Sequence, residues 1–168
     1  MKKYMFSLIS VAMALLMISC ANLIFEDLDL DMDYDDLDEF VCVAADGSKI
    51  KFEDFDYDPS VIDHPDYSWV DADMDTRTEL NPVSLHFYFK NNILPGQEIT
   101  VGKFDGVSPW IFGIWVSSSA KSYTDTYTGK MILKAKSNKA VVISMQNVKF
   151  SIKEGDYILN GDMVFKAK

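Results

Sequence analysis

The sequence predicts an all-β fold, with an antiparallel β-sandwich as the first choice and a β-barrel as the alternative. Short runs in which apolar and polar residues alternate recur from Phe40 onwards, and turn-forming residues separate them. Helix caps and apolar residues at a 3.6-residue period are missing from these runs. Because parallel strands would need crossover helices, about eight or nine short strands without helices indicate antiparallel pairing.

The first two predicted strands form a hairpin at the start of a single domain, residues 40–168. The runs FVCVAA and KIKFEDF flank Asp46-Gly47, a dipeptide typical of tight hairpin turns. After Pro82 the strand signals return at regular intervals, each bounded by Gly, Pro, Asn or Ser. The strands expected there are residues 83–90, 98–104, 110–117, 122–127, 129–136, 140–150 and 157–166.

A long acidic loop is predicted between these two groups of strands, at residues 53–82. The segment contains ten Asp and Glu residues together with Pro59, Pro65 and Pro82, and it shows no sustained periodicity. Loops of this length are uncommon inside a domain, and binding residues are often carried on loops. We therefore expect a ligand to contact residues 63–75.

The first twenty residues predict an export signal. Two lysines precede a largely apolar run over residues 4–18, which is shorter than the ~20 residues that cross a bilayer. The tail Leu16-Met17-Ile18-Ser19-Cys20 resembles the lipobox of bacterial lipoproteins, in which a peptidase cuts before a lipid-modified cysteine. The resemblance implies that residues 1–19 are removed and that Cys20 carries fatty acids such as palmitate. An ordinary secretory signal is the alternative.

The lipid on Cys20 would anchor the mature chain in a membrane, since more than one acyl chain gives stable attachment. Ala21 follows the cysteine, instead of the Asp that keeps some lipoproteins in the inner membrane. The lipobox resemblance therefore implies the bacterial outer membrane. The sequence leaves open whether the domain faces the periplasm or the cell surface.

The charge is divided unevenly along the chain. Residues 20–80 contain 20 Asp and Glu against 3 Lys and Arg, whereas residues 81–168 contain 6 against 11. This excess of carboxylates predicts that nucleic acid is not a partner, because phosphate backbones bind clustered lysine and arginine. Residues 20–39 predict a flexible acidic spacer between lipid and domain, with a charged edge strand as the alternative.

Cys42 is predicted to be a buried free thiol. The chain has two cysteines, and an even number in an exported protein usually indicates a disulfide. Lipidation would consume the sulfur of Cys20, however, and leave Cys42 alone between Val41 and Val43. Such a cysteine usually behaves as a small apolar residue.

Two segments of the C-terminal part of the chain show a loose similarity to each other. Each sets a tyrosine ahead of a glycine and an apolar run, at Tyr127-Thr-Gly-Lys-Met-Ile-Leu and at Tyr157-Ile-Leu-Asn-Gly-Asp-Met-Val-Phe. With this arrangement of strands, residues 120–168 resemble the small β-sandwich lipoproteins of unknown function from Bacteroidales. The resemblance brings no catalytic motif with it.

Aspartates spaced two residues apart are candidate calcium ligands, because calcium binds several oxygen atoms. Asp29, Asp31 and Asp33 form one such series, and Asp71, Asp73 and Asp75 form another. Neither series continues with the glycine and glutamate of an EF-hand loop. Irregular calcium binding by the second series is possible, and solvated charge is the alternative. No other cofactor is expected.

Aromatic residues give the best hint of a ligand. Tyr67 and Trp69 lie in the acidic segment, and Trp110 begins a later strand. Sugar-binding surfaces stack such rings on apolar sugar faces while neighbouring acids accept hydrogen bonds from hydroxyl groups. The alternative is that these rings fill the core.

The sequence therefore predicts a non-catalytic binding or structural module of the cell envelope, whose partner is a glycan or another envelope protein. A carbohydrate-binding surface lipoprotein is the more specific alternative. A hydrolase that acts on glycans is the third hypothesis, but the two histidines, His64 and His86, show neither zinc spacing nor a nucleophile motif. We expect no enzymatic activity.

Overall fold

Nine β-strands form the regular structure of the chain in the computed structural model, which describes residues 27–60, 65–74, 83–102, 112–116, 126–152 and 155–168. The strands are β1 (Val41–Ala44), β2 (Lys49–Ile50), β3 (Phe52–Asp58), β4 (Tyr67–Met74), β5 (Val83–Lys90), β6 (Phe112–Val116), β7 (Tyr127–Lys136), β8 (Ala140–Ile152) and β9 (Gly155–Ala167). Apart from a three-residue 3-10 turn at Tyr34–Asp36, the elements are strands. The all-β prediction is confirmed.

The strands belong to one curled, mixed sheet with the form of a half-barrel. Strand β9 pairs along one edge with β8, which in turn pairs with β7. The other edge of β9 is shared, because its first half pairs with β1 and its last residues pair with β3. The order β3-β4-β5-β6 completes the sheet. Among the described strands every pair is antiparallel except β3 with β9, so the prediction of antiparallel pairing is wrong at that one place.

One face of the curled sheet encloses the main core. Side chains alternate between the two faces of a strand, so every second residue of the long strands points inward. Phe87 of β5 and Phe165 of β9 meet edge to face, with ring centroids 6.4 Å apart. Cys42 lies in this core as a fully buried free thiol, as the sequence predicts. The other large, fully buried side chains are Leu85, Phe89, Ile99, Met131, Leu133, Ile143, Met145 and Leu159.

Residues 96–102, which follow β5 in the chain, form hydrogen bonds and isolated bridges with β7 and β5. The N–H groups of Gly96 and Ile99 donate to carbonyls of β7, at 2.7 Å each, and Val101 forms a bridge with Phe89 of β5. The strand predicted at residues 98–104 is therefore reduced to single bridges over its described part. The strand predicted at residues 122–127 lies outside the described residues, apart from its end.

Strands β3 and β4 overturn the prediction of a loop at residues 53–82. They pair antiparallel, with Asp58 opposite Trp69 and Phe52 opposite Met74. A register shift between Glu53 and Asp56 interrupts β3, and Asp54 there has a φ of 50°. This irregularity breaks the two-residue alternation, so the sequence predicts a strand only over the first half of β3, within the run KIKFEDF.

The segment 27–39, here called the acidic strap, is packed on the sheet, so the prediction of a flexible spacer is wrong over these residues. Its apolar side chains cover the outer face of β7, β8 and β9. Leu30 is 8% exposed and belongs to a second core cluster. The cluster contains Leu28, Met32 and Leu37 of the strap and Ala135, Ala140, Val142 and Val164 of the strands.

The C-terminal end of the strap is fixed to β9 by polar contacts. The carboxylate of Asp162, with no exposed side-chain surface, accepts a 2.8 Å hydrogen bond from the Asp38 N–H and a 2.7 Å ion pair from Lys134. Gly161 next to it has a φ of 92°, and a Cβ atom there would lie 2.0 Å from the carbonyl oxygen of Glu39. The strap backbone thus approaches β9 more closely than any residue with a side chain would allow.

Candidate functional site

A groove on the outer face of β3 and β4 combines an aromatic ring with several carboxylates. We call it the Trp69 groove, because Trp69 stands in the middle of β4 between Asp58 of β3 and Tyr88 of β5. Its volume of about 590 Å³ lies within the range usual for small-molecule sites. It is lined by Asp56, Tyr57, Asp58, Pro59, Trp69, Asp71, Asn138, Ala167 and Lys168.

The indole ring of Trp69 is fixed by two rings of β5. Its centroid lies 5.1 Å from that of His86, and the two planes are nearly parallel at 15°. The Tyr88 ring packs against it at 4.3 Å with a tilt of 51°. A ring held in this way loses little further freedom when a ligand stacks on it, so the packing prepares Trp69 for binding.

The alternation of β4 explains why Trp69 and Asp71 reach the groove together. Ser68, Val70 and Ala72 are fully buried on the inner side, so the residues between them point outward. Asp71 pairs with His86 in the register of β4 and β5, directly beyond the Trp69–Tyr88 pair. The outer face of this hairpin is therefore built from rings and acids, although its inner face is apolar.

The carboxylates of β3 give the groove a negative potential. Asp56 forms a 2.7 Å ion pair with the Lys168 ammonium, and Asp58 accepts a 3.0 Å hydrogen bond from the Ser60 N–H. Burial raises the pKa of the Tyr88 phenol, and the negative charge of Asp58 raises it further. Asp58 thus places its charge on the side of the groove where Tyr88 packs against Trp69.

Tyr67, predicted as a ligand residue, is placed elsewhere. It lies on β4 but lines a separate depression of about 400 Å³ with Pro65, Asp66, Lys90, Asn91 and Asn92. Its ring covers Gly102, where a Cβ atom would lie 2.0 Å from Tyr67 Cε1. The structure therefore separates Tyr67 from Trp69. The third predicted aromatic residue, Trp110, is outside the described residues, as is Cys20.

The predicted calcium ligands are only partly visible. Asp71 lines the Trp69 groove, and the backbone of Asp73 continues β4 opposite Glu53 and Ser84. Asp75 lies outside the described residues. Within the described part of the chain, no group of three or more His, Cys, Asp or Glu side chains is placed to hold a metal ion. Calcium binding by Asp71, Asp73 and Asp75 stays a prediction.

Several groove residues were not among the predicted ligands. Asp56 and Asp58 come from β3, and Asn138 and Lys168 come from the far end of the chain. The alternation of Phe55 and Tyr57 with Asp56 and Asp58 is a signal that could have revealed the β3 acids. Nothing in the sequence brings Asn138 or Lys168 to them, because that proximity depends on the parallel pairing of β3 with β9.

Comparison with protein-family models, curated proteins and solved structures found no match for this chain. Among the described residues, none of the helical segments has the length and apolar character needed to cross a membrane.

Proposed function

We propose that the mature chain is a non-catalytic binding module of the bacterial cell envelope, anchored in the outer membrane by lipid on Cys20. The Trp69 groove is the observation that carries the binding role. It combines a pre-positioned ring, carboxylates and a volume suited to a small ligand on one outer face of the sheet. The lipobox-like tail that ends at Cys20 supports the anchor.

Carbohydrate is the ligand class that the groove favours. An indole ring stacks on the apolar face of a pyranose, and this contact adds to the free energy of burial. Asp58 and Asp71 line the same groove and supply oxygens that accept hydrogen bonds from sugar hydroxyl groups. Charge-assisted hydrogen bonds of this kind are stronger than those between neutral groups.

The charge of the groove narrows the ligand further. Of the described residues that line it, three are aspartates and one is a lysine, and that lysine is paired with Asp56. An anionic sugar, such as a uronic acid or a sulfated glycan, would be repelled by the Asp58 carboxylate. Neutral and amine-bearing sugars are therefore the proposed ligands.

A glycan array with the mature protein tests this proposal. We expect binding to a subset of neutral or amine-bearing glycans, and Trp69→Ala should weaken that binding at least about tenfold, which corresponds to 1.4 kcal/mol. Tyr67→Ala is the matched control, since it removes a ring from the same face of β4 outside the groove, and it should leave the affinity within about twofold.

Two results would contradict the proposal. If no glycan binds, or if Trp69→Ala binds as the wild type does, the groove is not a carbohydrate site. If incubation with bound glycans releases reducing ends, the protein is a hydrolase and the non-catalytic assignment is wrong.

A further inference from the structure

The strap and the Trp69 groove meet at one turn of the chain, Ser137-Asn138-Lys139. Asn138 lines the groove. On either side of it, Ser137 Oγ donates a 2.5 Å hydrogen bond to the Leu28 carbonyl, and Lys139 Nζ donates one of 3.0 Å to the Asp27 carbonyl. Lys139 also pairs with the Asp29 carboxylate at 2.9 Å. The same turn therefore forms the rim of the groove and holds the first described residues of the strap.

The docked strap changes the point at which a lipid anchor would attach to the domain. Without docking, the connection from Cys20 would reach the folded domain only at Phe40, beside Gly161 in the middle of β9. With the strap docked, the connection ends at Asp27, beside the 137–139 turn. Gly161 lies six residues from Ala167 at the end of β9, a separation of about 20 Å along the strand.

The length of the remaining connection limits the distance to the membrane. Seven Cα–Cα steps separate Cys20 from Asp27, and a fully extended chain spans at most ~3.6 Å per residue, or about 25 Å. A spacer that ran to Phe40 would allow almost three times that distance. The rim of the groove is therefore kept within a short distance of any membrane that holds the lipid.

We propose that the Trp69 groove faces the membrane that carries the anchor, and that its ligand is the sugar headgroup of a glycolipid in that membrane. This inference depends on the proposed lipid anchor and on the proposed carbohydrate ligand. The charge of the groove selects among headgroups: the Asp58 carboxylate disfavours a phosphate, so an uncharged or amine-bearing hexose headgroup fits. Tethering also raises the effective concentration of the groove at the membrane surface without any new contact.

Fluorescence quenching tests the orientation without a ligand. The full lipidated protein is reconstituted in phosphatidylcholine vesicles that contain a lipid with a spin label on its headgroup. The signal of Trp69 is the difference between the wild type and Trp69→Phe, since Trp110 and Trp115 are present in both. We expect quenching of the Trp69 signal by at least about half.

A linker variant provides the control. A flexible Gly-Ser insertion of about 20 residues after Asn22 lengthens the connection without altering the strap or the groove. We expect this variant to float with the vesicles as the wild type does and to lose most of the quenching. Leu30→Asp, which releases the strap, should have the same effect, and the insertion keeps the test valid if that variant does not fold.

The ligand is tested with a dihexosyl diacylglycerol in the same vesicles and with the corresponding free disaccharide. The shift of the Trp69 emission should saturate at a much lower sugar concentration in vesicles, and the linker insertion should reduce this advantage at least about tenfold. Equal quenching in the wild type and the linker variant would overturn the membrane-facing orientation alone. Quenching without a response to either sugar would overturn the carbohydrate ligand, and failure to float with vesicles would overturn the anchor.

Discussion

The outer face of β7–β9 and the outer face of β3–β5 belong to one sheet but carry different kinds of side chain. The first is made of small apolar residues, Ala135, Ala140, Val142 and Val164, and the acidic strap covers it. The second carries Trp69, Asp71, His86 and Tyr88 and borders a groove of about 590 Å³. Both surfaces belong to the outer side of a sheet whose inner side packs on the main core. They differ in the side chains that point outward. The covered face supports stability, and the open face is available for a ligand.

The largest effect on the covered face is expected at Gly161. Gly161→Ala would place a Cβ atom 2.0 Å from the Glu39 carbonyl at a φ of 92°, so the strap must move away from β9. We expect a loss of about 3 kcal/mol in the free energy of unfolding, measured with denaturant.

Gly47→Ala is the matched control for that experiment. Gly47 has a similar φ of 84°, but a Cβ atom there meets nothing within 4 Å. It should cost about 1 kcal/mol, which is the cost of the backbone conformation alone. Equal losses at the two positions would mean that the strap does not lie against β9.

A slightly smaller effect is expected when the strap loses its most buried side chain. Leu30 is 8% exposed, and Leu30→Ala should lower the free energy of unfolding by about 2.5 kcal/mol. Leu94 is 62% exposed, so Leu94→Ala should change it by less than about 0.5 kcal/mol. If Leu30→Ala were as mild as this control in denaturant melts, the strap would be only loosely attached.

The ion pair beneath the strap comes next. Lys134→Met leaves the Asp162 carboxylate buried with the Asp38 N–H and without its cation, and about 2 kcal/mol should be lost. Lys139→Met removes a cation from the solvent-exposed pair with Asp29 and should cost about 0.5 kcal/mol or less. Chemical denaturation of both variants separates the two cases, and a larger loss at Lys139 would reverse the account of how the strap is held.

The buried Cys42 thiol makes the free energy of unfolding depend on pH, by about 1 kcal/mol. Burial raises the pKa of the Cys42 thiol from 9.0 to about 12. Above pH 9 the unfolded chain releases this proton and the folded chain keeps it, so stability falls as the pH rises between these two values. For Cys42 this contribution is about 1 kcal/mol between pH 9 and pH 10.

Cys42→Ala removes that contribution while the buried tyrosines keep theirs. Unfolding curves at pH 8, 9 and 10 should therefore show a flatter decline for the variant than for the wild type. Parallel declines would show that the thiol ionises in the folded protein as easily as in the unfolded chain.

The sequence predicts the fold best where turn-forming residues bound an apolar run. The predicted strands agree with β5, β7, β8 and β9 to within a few residues, because Gly, Pro, Asn or Ser residues lie close to the ends of these runs. The predicted run KIKFEDF covers the first half of β3, and the second half falls in the predicted loop because the irregularity at Asp54 changes the phase of the pattern. The acids of the strap predict a solvated spacer, since only the tertiary structure provides the apolar surface on which Leu30 packs.

The site was predictable to a similar extent. Trp69 and Asp71 stand two residues apart on a strand, so the sequence places them together once the strand is known. Tyr67 shares that face, but its ring packs on Gly102, and local sequence does not predict this contact. Asp56, Asn138 and Lys168 enter the groove through strand pairing between distant parts of the chain, which no local pattern shows.

The most direct test of the division between the two faces measures affinity and stability together in Trp69→Ala and Leu30→Ala. With a glycan selected on the array, calorimetry gives the affinity, and denaturant unfolding gives the stability. We expect Trp69→Ala to lose at least about tenfold in affinity and less than about 1 kcal/mol in stability, and Leu30→Ala to lose about 2.5 kcal/mol with unchanged affinity. Loss of affinity in Leu30→Ala would contradict the assignment of ligand binding to the open face. Unchanged affinity in both variants would contradict it as well.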